Sequence, residues 1–349
     1  MTRHGLVLIT CCLLFVAASG YTQTPASVVT VSTETQLQSA VKDWRSGQTI
    51  QVQPGDYRLT STLFVPQGLV DQTITGTGDP SMVTLRGGGY GAGPAFAIWA
   101  GSSAGLTVAN LTIRDMREHG VILNQGASRP VIRNVVMTDI GDQFLKVNPR
   151  GVDDGIVEDS VFAYSSTAPD WYTNGVDIHN GARWTIRRNT FRNFRMSGEL
   201  VGPALLVWNA SHGTTVDGNV FIDNHRDISM GLDRAKPATS PVNSTTLPDH
   251  SGGVVRANVI SRTPGTGGDV AIAVFDSPNT LVELNTVRLN GSYPNAVECR
   301  WPRTVSVIVS DNANDGQVVN RDGSTCTFAR NGSIGRPAMP TRLRVRDEQ

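Results

Sequence analysis

The chain has 349 residues, and its 30 basic and 30 acidic side chains cancel to no net charge. That balance argues for neither a nucleic-acid binder nor a membrane-surface protein, so any charge preference must be local. Thirty-six glycines and an aromatic content of only 6% imply many short turns, and so a β-rich chain.

Arg3 and His4 precede an apolar run over residues 6–18, followed by the small residues Ser19 and Gly20. This predicts a secretory signal peptide over residues 1–20, too short to cross a bilayer. The expectation is a secreted or periplasmic protein with no membrane insertion. Cys11 and Cys12 leave with the signal, so Cys299 and Cys326 remain for an oxidising compartment. One disulfide between them is expected, with two free thiols as the alternative.

Thr33 and Gln36 form a candidate capping box, and Leu37, Ala40, Val41 and Trp44 recur at helical spacing. We read this segment as a helix that caps the start of a solenoid. Pro54-Gly55-Asp56 then turns the chain into strands. From there a phrase of apolar residues ending in Asn or Asp recurs at Asn110, Asn134, Asp159, Asn189, Asn219, Asn258, Asn285 and Asn312.

The intervals are 24, 25, 30, 30, 39, 27 and 27 residues, a period that belongs to solenoids. Short β-branched runs between Gly, Asn and Asp turns fit a parallel β-helix, and the patterns of leucine-rich repeats and propellers are missing. The recurring Asn is expected to be structural, its amide bonding to its counterparts one coil above and below. The β-helix domain is placed at residues 21–330, with a Pro- and Arg-rich peripheral tail over 331–349.

A second strand of each repeat can be laid in register. One side reads Val121, Leu145, Val176, Leu205, Ile228, Ile272 and Val297, and two residues along, Leu123, Val147, Ile178, Val207, Met230, Val274 and Cys299. Two uncharged apolar ladders define the interior, because alternate side chains share a face. The opposite side reads Ile122, Lys146, Asp177, Leu206, Ser229, Ala273 and Glu298, then Asn124, Asn148, His179, Trp208, Gly231, Phe275 and Arg300.

Stacked strands lie about 4.8 Å apart, so Lys146, Asp177, His179, Asn148 and Trp208 are expected on one outward patch. Long loops at 164–173, 195–202 and 233–252 border it, and Trp171 and Tyr172 are expected at its rim as sugar-stacking platforms. An outward Asp-x-His is more often a solvated pair than a catalytic one. Asp153, Asp154, Glu158 and Asp159 make calcium a candidate cofactor, although an Asp-rich turn is the preferred reading. Arg183, Arg187, Arg188, Arg192 and Arg195 form a basic run best read as a solvated edge. Glu118-His119 and His225 near Asp227 carry no distinct signal.

The opening "LQSAVKDWRSGQTIQVQPGDYRL", the Asn-bearing coils and the open outward face resemble the pectin-lyase-like superfamily across roughly residues 28 to 329. The resemblance implies an all-β chain, one right-handed parallel β-helix. It also implies polysaccharide lyase, hydrolase, epimerase or adhesin activity. Within that group, "GVDIHNG" is similar to the Asp-Pro-His core of mannuronan epimerases, with Ile178 in place of the proline. That similarity assigns Asp177 and His179 to a catalytic strand.

Removing the proton beside a uronate carboxylate requires a cation to neutralise that carboxylate and a base on the sugar face. Lys146, His179 and Arg300 are the candidates for those tasks, and Asp177 either holds His179 or Lys146 in the needed protonation state or, when itself protonated, assists the neutralisation. Asn148, Trp171, Tyr172, Trp208 and Glu298 are the candidate substrate-binding residues. The expected partner is an extended, acidic polysaccharide and not a nucleic acid. The alternatives are a glycoside hydrolase, pairing Asp177 with Glu199 or Asp227, and a non-catalytic glycan-binding or adhesion solenoid.

Overall fold

The computed structural model describes residues 27–232 and 247–334. The expected signal peptide, most of the 233–252 loop and the tail beyond residue 334 lie outside the described residues. Among the described residues, every pairing between strands is parallel, and each coil lays short strands on the coil before it. One ladder of ten strands runs from Leu63–Phe64 to Gln317–Arg321. The remaining sides of the coil merge into a larger sheet where Thr107–Arg114 and Val131–Thr138 run unbroken past a corner. The architecture is a parallel β-helix.

That corner explains the recurring Asn, and it corrects the expectation of a single Asn ladder. Asn110, Asn134 and Asp159 hold left-handed backbone, with φ of 54, 48 and 53°, which turns the chain sharply. Strand register puts Arg188, Ala257, Leu284 and Asp311 at the same corner, also left-handed. Asn and Asp accept this conformation readily, whereas Arg, Ala and Leu adopt it only when their surroundings impose it.

The surroundings that impose it are the next row. Asn189, Asn219, Asn258, Asn285 and Asn312 follow the corner by one residue and are buried. Each Nδ2 donates to the Oδ1 of the next Asn along the stack at 2.9 to 3.0 Å, ending on Asn331. The same Oδ1 atoms accept the backbone N–H of the preceding Asn, so each amide closes the donors of two coils. Ser160 takes the position in the coil before, donating its N–H to Asn189 Oδ1 at 3.0 Å. The Asn repeat is therefore two ladders one residue apart.

The inner face has the predicted composition: both apolar rows are fully buried from Val121 to Val297 and from Leu123 to Cys299. At the N-terminal end the helix Glu34–Lys42 presses Leu37 and Val41 onto the first coils, and Thr33 Oγ1 accepts from the Gln36 N–H at 3.2 Å. At the other end Cys299 and Cys326 are joined as a disulfide. The last described strand, Gly332–Ser333, pairs with Ala313–Asn314.

Removing one inner amide should strand its neighbours' donors and acceptors. Asn258→Ala is expected to cost about 1–3 kcal/mol, read from urea midpoints. Asn134→Gly, at an exposed left-handed corner, is expected to change stability by no more than about 0.5 kcal/mol.

Candidate active site

The site occupies the outer face of the ten-strand ladder. Lys146 stands on Gln143–Val147, Asp177 and His179 on Asn174–His179, and Trp208 on Leu205–Trp208, three consecutive strands. Their register pairs Lys146 with Asp177 and His179 with Trp208, as the alignment of the repeats predicts. Alternation drives Leu145, Val147, Val176 and Ile178 into the core, and so forces their polar neighbours outward.

Outward does not mean solvated. Asp177 is only 2% exposed and Lys146 only 6%, which corrects the expectation of a surface pair. Lys146 Nζ forms an ion pair with Asp177 Oδ2 and lies 2.9 Å from His179 Nε2. His179 Nε2 in turn lies 3.1 Å from the same Asp177 oxygen. Trp208 Nε1 donates to Asp177 Oδ1 at 2.9 Å, and its ring meets the imidazole edge-on with centroids 4.7 Å apart. Asn209 Nδ2 sits 3.3 Å from His179 Nδ1.

His179 Nε2 thus faces an ammonium and a carboxylate at once. With a proton it donates to Asp177, and without one it accepts from Lys146. Burial alone would raise the Asp177 carboxyl, but the charges of His179 and Lys146 and their hydrogen bonds prevail and hold it well below the usual carboxylate range. Burial alone would lower Lys146, yet the Asp177 charge and the Tyr172 hydroxyl hold its ammonium above the usual lysine value. The pair is ionised at neutral pH although it is desolvated.

Tyr172 reaches this cluster from the 164–173 loop, with Lys146 Nζ 5.9 Å from its ring centroid. Trp171 meets Tyr172 edge-on at 5.7 Å, and both rings are exposed at the rim. Asn148 sits one strand from His179 and donates to Asn124 Oδ1 at 2.9 Å.

Two expected members are elsewhere. Arg300 and Glu298 lie four strands along the ladder from Asp177, roughly 19 Å away at the spacing of paired strands. Arg300 ion-pairs with Asp322 and stacks on Phe275 and Trp301. Glu298 is buried, accepting from Arg321, Asn295 and Tyr293 at 3.0, 2.6 and 3.1 Å. Neither joins the Lys146 cluster, because stacking fixes distance along the axis however similar two positions look.

The hydrolase partner Asp227 is also committed. It is fully buried against Arg262 at 2.9 Å. Glu199 is exposed on its loop. The calcium candidates form half of an ion-pair ladder with the basic run one coil on: Arg183 pairs with Asp154, Arg187 with Glu158, and Arg188 with Glu158 and Asp159. Among the described residues, no group of three or more His, Cys, Asp or Glu side chains is arranged to hold a metal ion.

Two further titratable groups border the site. His119 stacks flat on Phe96, with centroids 5.3 Å apart, and its Nδ1 lies 3.2 Å from the Gln143 carbonyl oxygen. Burial, then the Lys146 charge, push its pKa down to about 4. Asp142 is pushed up to about 6 by burial and by the Glu118 and Asp170 carboxylates. The sequence registered Glu118-His119 without a role and held no signal for Asp142, since Asp170 belongs to a loop from another coil.

A family model described as the right-handed β-helix region matches residues 94–263. No curated protein matches the chain. Among solved structures, an alginate lyase from Paenibacillus sp. superposes with a TM-score of 0.61 at 16% identity, covering 87% of this chain and 98% of that one. The A-module of a mannuronan C-5 epimerase from Azotobacter vinelandii gives 0.56 at 11% identity, over 86% and 90%. A surface adhesin of Streptococcus pneumoniae gives 0.54 at 14%, over 85% and 86%. At these identities the likeness is one of fold: the chain is a right-handed parallel β-helix, shared by enzymes and an adhesin alike.

His119 makes stability depend on pH. Its folded pKa lies below that of the unfolded chain, so stability is full above about pH 6.5 and declines until about pH 4. Asp142, raised to about 6, opposes this over part of the same window. In His119→Phe the loss of stability from pH 6.5 to pH 4 should shrink by up to about 3 kcal/mol, measured by urea denaturation at both ends.

Proposed function

We propose that this protein is exported and acts on a uronate-containing polysaccharide, removing the proton beside the carboxylate to drive lysis or epimerisation. The observation that carries this reading is the buried junction in which Asp177 Oδ2 contacts both Lys146 Nζ and His179 Nε2.

At rest Asp177 balances Lys146, and the three side chains together carry no net charge while His179 is neutral. When His179 takes the sugar proton, Asp177 is already at hand to balance the imidazolium. The Lys146 ammonium is then free to balance the enolate that forms on the substrate carboxylate. One carboxylate thus serves two cations in turn, and charge appears only where the reaction creates its opposite. Tyr172, whose hydroxyl neighbours Lys146 at the rim, is the group that returns a proton, and the tyrosinate left behind recovers one from the His179 imidazolium through solvent, so both groups are reset after turnover. In lysis that proton goes to the departing glycosidic oxygen; in epimerisation it goes to the opposite face of the ring.

Hydrolysis fits less well. It needs two cooperating carboxylates, and Asp177 is engaged by the Lys146 ammonium, the His179 imidazole and an indole N–H.

The test is incubation with alginates, pectates and glycosaminoglycans, following the absorbance of unsaturated uronate and, for epimerisation, sugar-proton NMR. His179→Ala and Lys146→Ala are expected to lower kcat by about 10²- to 10⁴-fold. Turnover unchanged in both variants would sink the site. Binding without turnover on every polymer would favour a glycan-binding protein.

A further inference from the structure

We propose that Trp99 and Phe64 form a stacking platform that grips the same polysaccharide two and three sugar units from Lys146, so that the protein selects long chains over short ones. This deepens the reading above and rests on its choice of polymer, though not on its chemistry.

The row that carries the site continues toward the N-terminus. Phe64 pairs with Trp99, Trp99 with Ile122, Ile122 with Lys146, and Lys146 with Asp177. All five side chains share the outer face, while Leu63 and Ile98 beside them are buried in the core. At about 4.8 Å per strand, Trp99 and Phe64 stand roughly 10 and 14 Å from Lys146. An extended 1,4-linked pyranose chain advances by about one strand spacing per unit. A chain lying along the solenoid axis with one unit at Lys146 therefore sets its second and third neighbours over these rings.

The indole also lies close to the backbone. A strand side chain ordinarily stands upright from the sheet, but Trp99 is folded down over Gly101. A Cβ added at Gly101 would come within 2.8 Å of Trp99 Cη2 and 3.3 Å of Cζ3. The glycine thus leaves room for the indole to lie against the backbone, where Trp99 is half-buried. Phe64 flanks it at 5.9 Å with a tilt of 54°, and 58% of Phe64 is exposed. The apolar C–H face of a pyranose is the complement of such a surface, since its hydrogens meet the electron-rich ring face. Continuity of the row with Lys146 identifies the occupant as the polymer whose next units lie there.

The experiment measures binding of two-unit and six-unit oligomannuronates and oligogalacturonates by titration calorimetry, alongside turnover of alginate and pectate. Trp99→Ala should weaken six-unit binding about ten-fold, the loss of one good aromatic contact. Two-unit binding and kcat should be unchanged, and Trp99→Phe should restore most of the affinity. Gly101→Val, which keeps the indole but lifts it, should reproduce the Trp99→Ala loss with thermal unfolding close to wild type. Equal loss on short and long oligomers, no loss on long ones, or a wild-type protein that binds none of these probes overturns the platform. If wild type binds but turns nothing over, the length-dependent loss in Trp99→Ala still supports the platform while the proposed reaction fails.

Discussion

Each coil of this chain depends on the coil before it for its backbone hydrogen bonds. Strands of three to six residues, such as Ile156–Glu158 and Asn174–His179, are too short to persist alone. They persist because their backbone N–H and C=O groups pair with the coils on either side at a fixed spacing. That spacing then brings like positions together: apolar over apolar inside, Asn over Asn at the corner. The inner amides from Asn189 to Asn331 are the clearest product, holding even Leu284 in a left-handed turn.

The same constraint builds the site and limits it. It makes neighbours of Lys146 and Asp177, which are 31 residues apart in sequence. It also keeps Arg300 distant from His179, although both stand in one outward row. Loops then decide how wet the row is. Where the 164–173 loop brings Tyr172 over Lys146, the ion pair is desolvated and its two charges depend on each other. Breaking such a pair from one side leaves a buried charge without a partner. The arrangement therefore carries a stability cost unless the cluster is complete.

A lyase, an epimerase module and an adhesin share the scaffold at identities of 11 to 16%, so the coils by themselves carry no chemistry. The chemistry of this chain sits in the outer row of one ladder: two aromatic rings, a buried aliphatic side chain, then an ammonium and a carboxylate bridged by an imidazole. Stacking sets their order and spacing, and the loops set their exposure.

Much of this was legible in the sequence, for a local reason. Side chains alternate strictly along a strand, and repeats stack like on like, so aligning the repeats was enough to pair Lys146 with Asp177 and His179 with Trp208. The capping helix was legible too, because Thr33, Gln36, Leu37 and Val41 act within two turns. What only the tertiary structure decided depends on through-space arrangement. Residue type does not reveal that Asn134 and Asn189 belong to different ladders, since the left-handed corner is occupied by Arg, Ala and Leu as well. Nor does it reveal that Asp177 is buried, that Asp142 is raised by burial and by carboxylates from other segments, or that Glu298 and Arg300 are held in ion pairs far along the axis. Alternation and periodicity are properties of the chain, whereas distance along the stack, loop cover and electrostatic neighbours exist only once the coils are assembled.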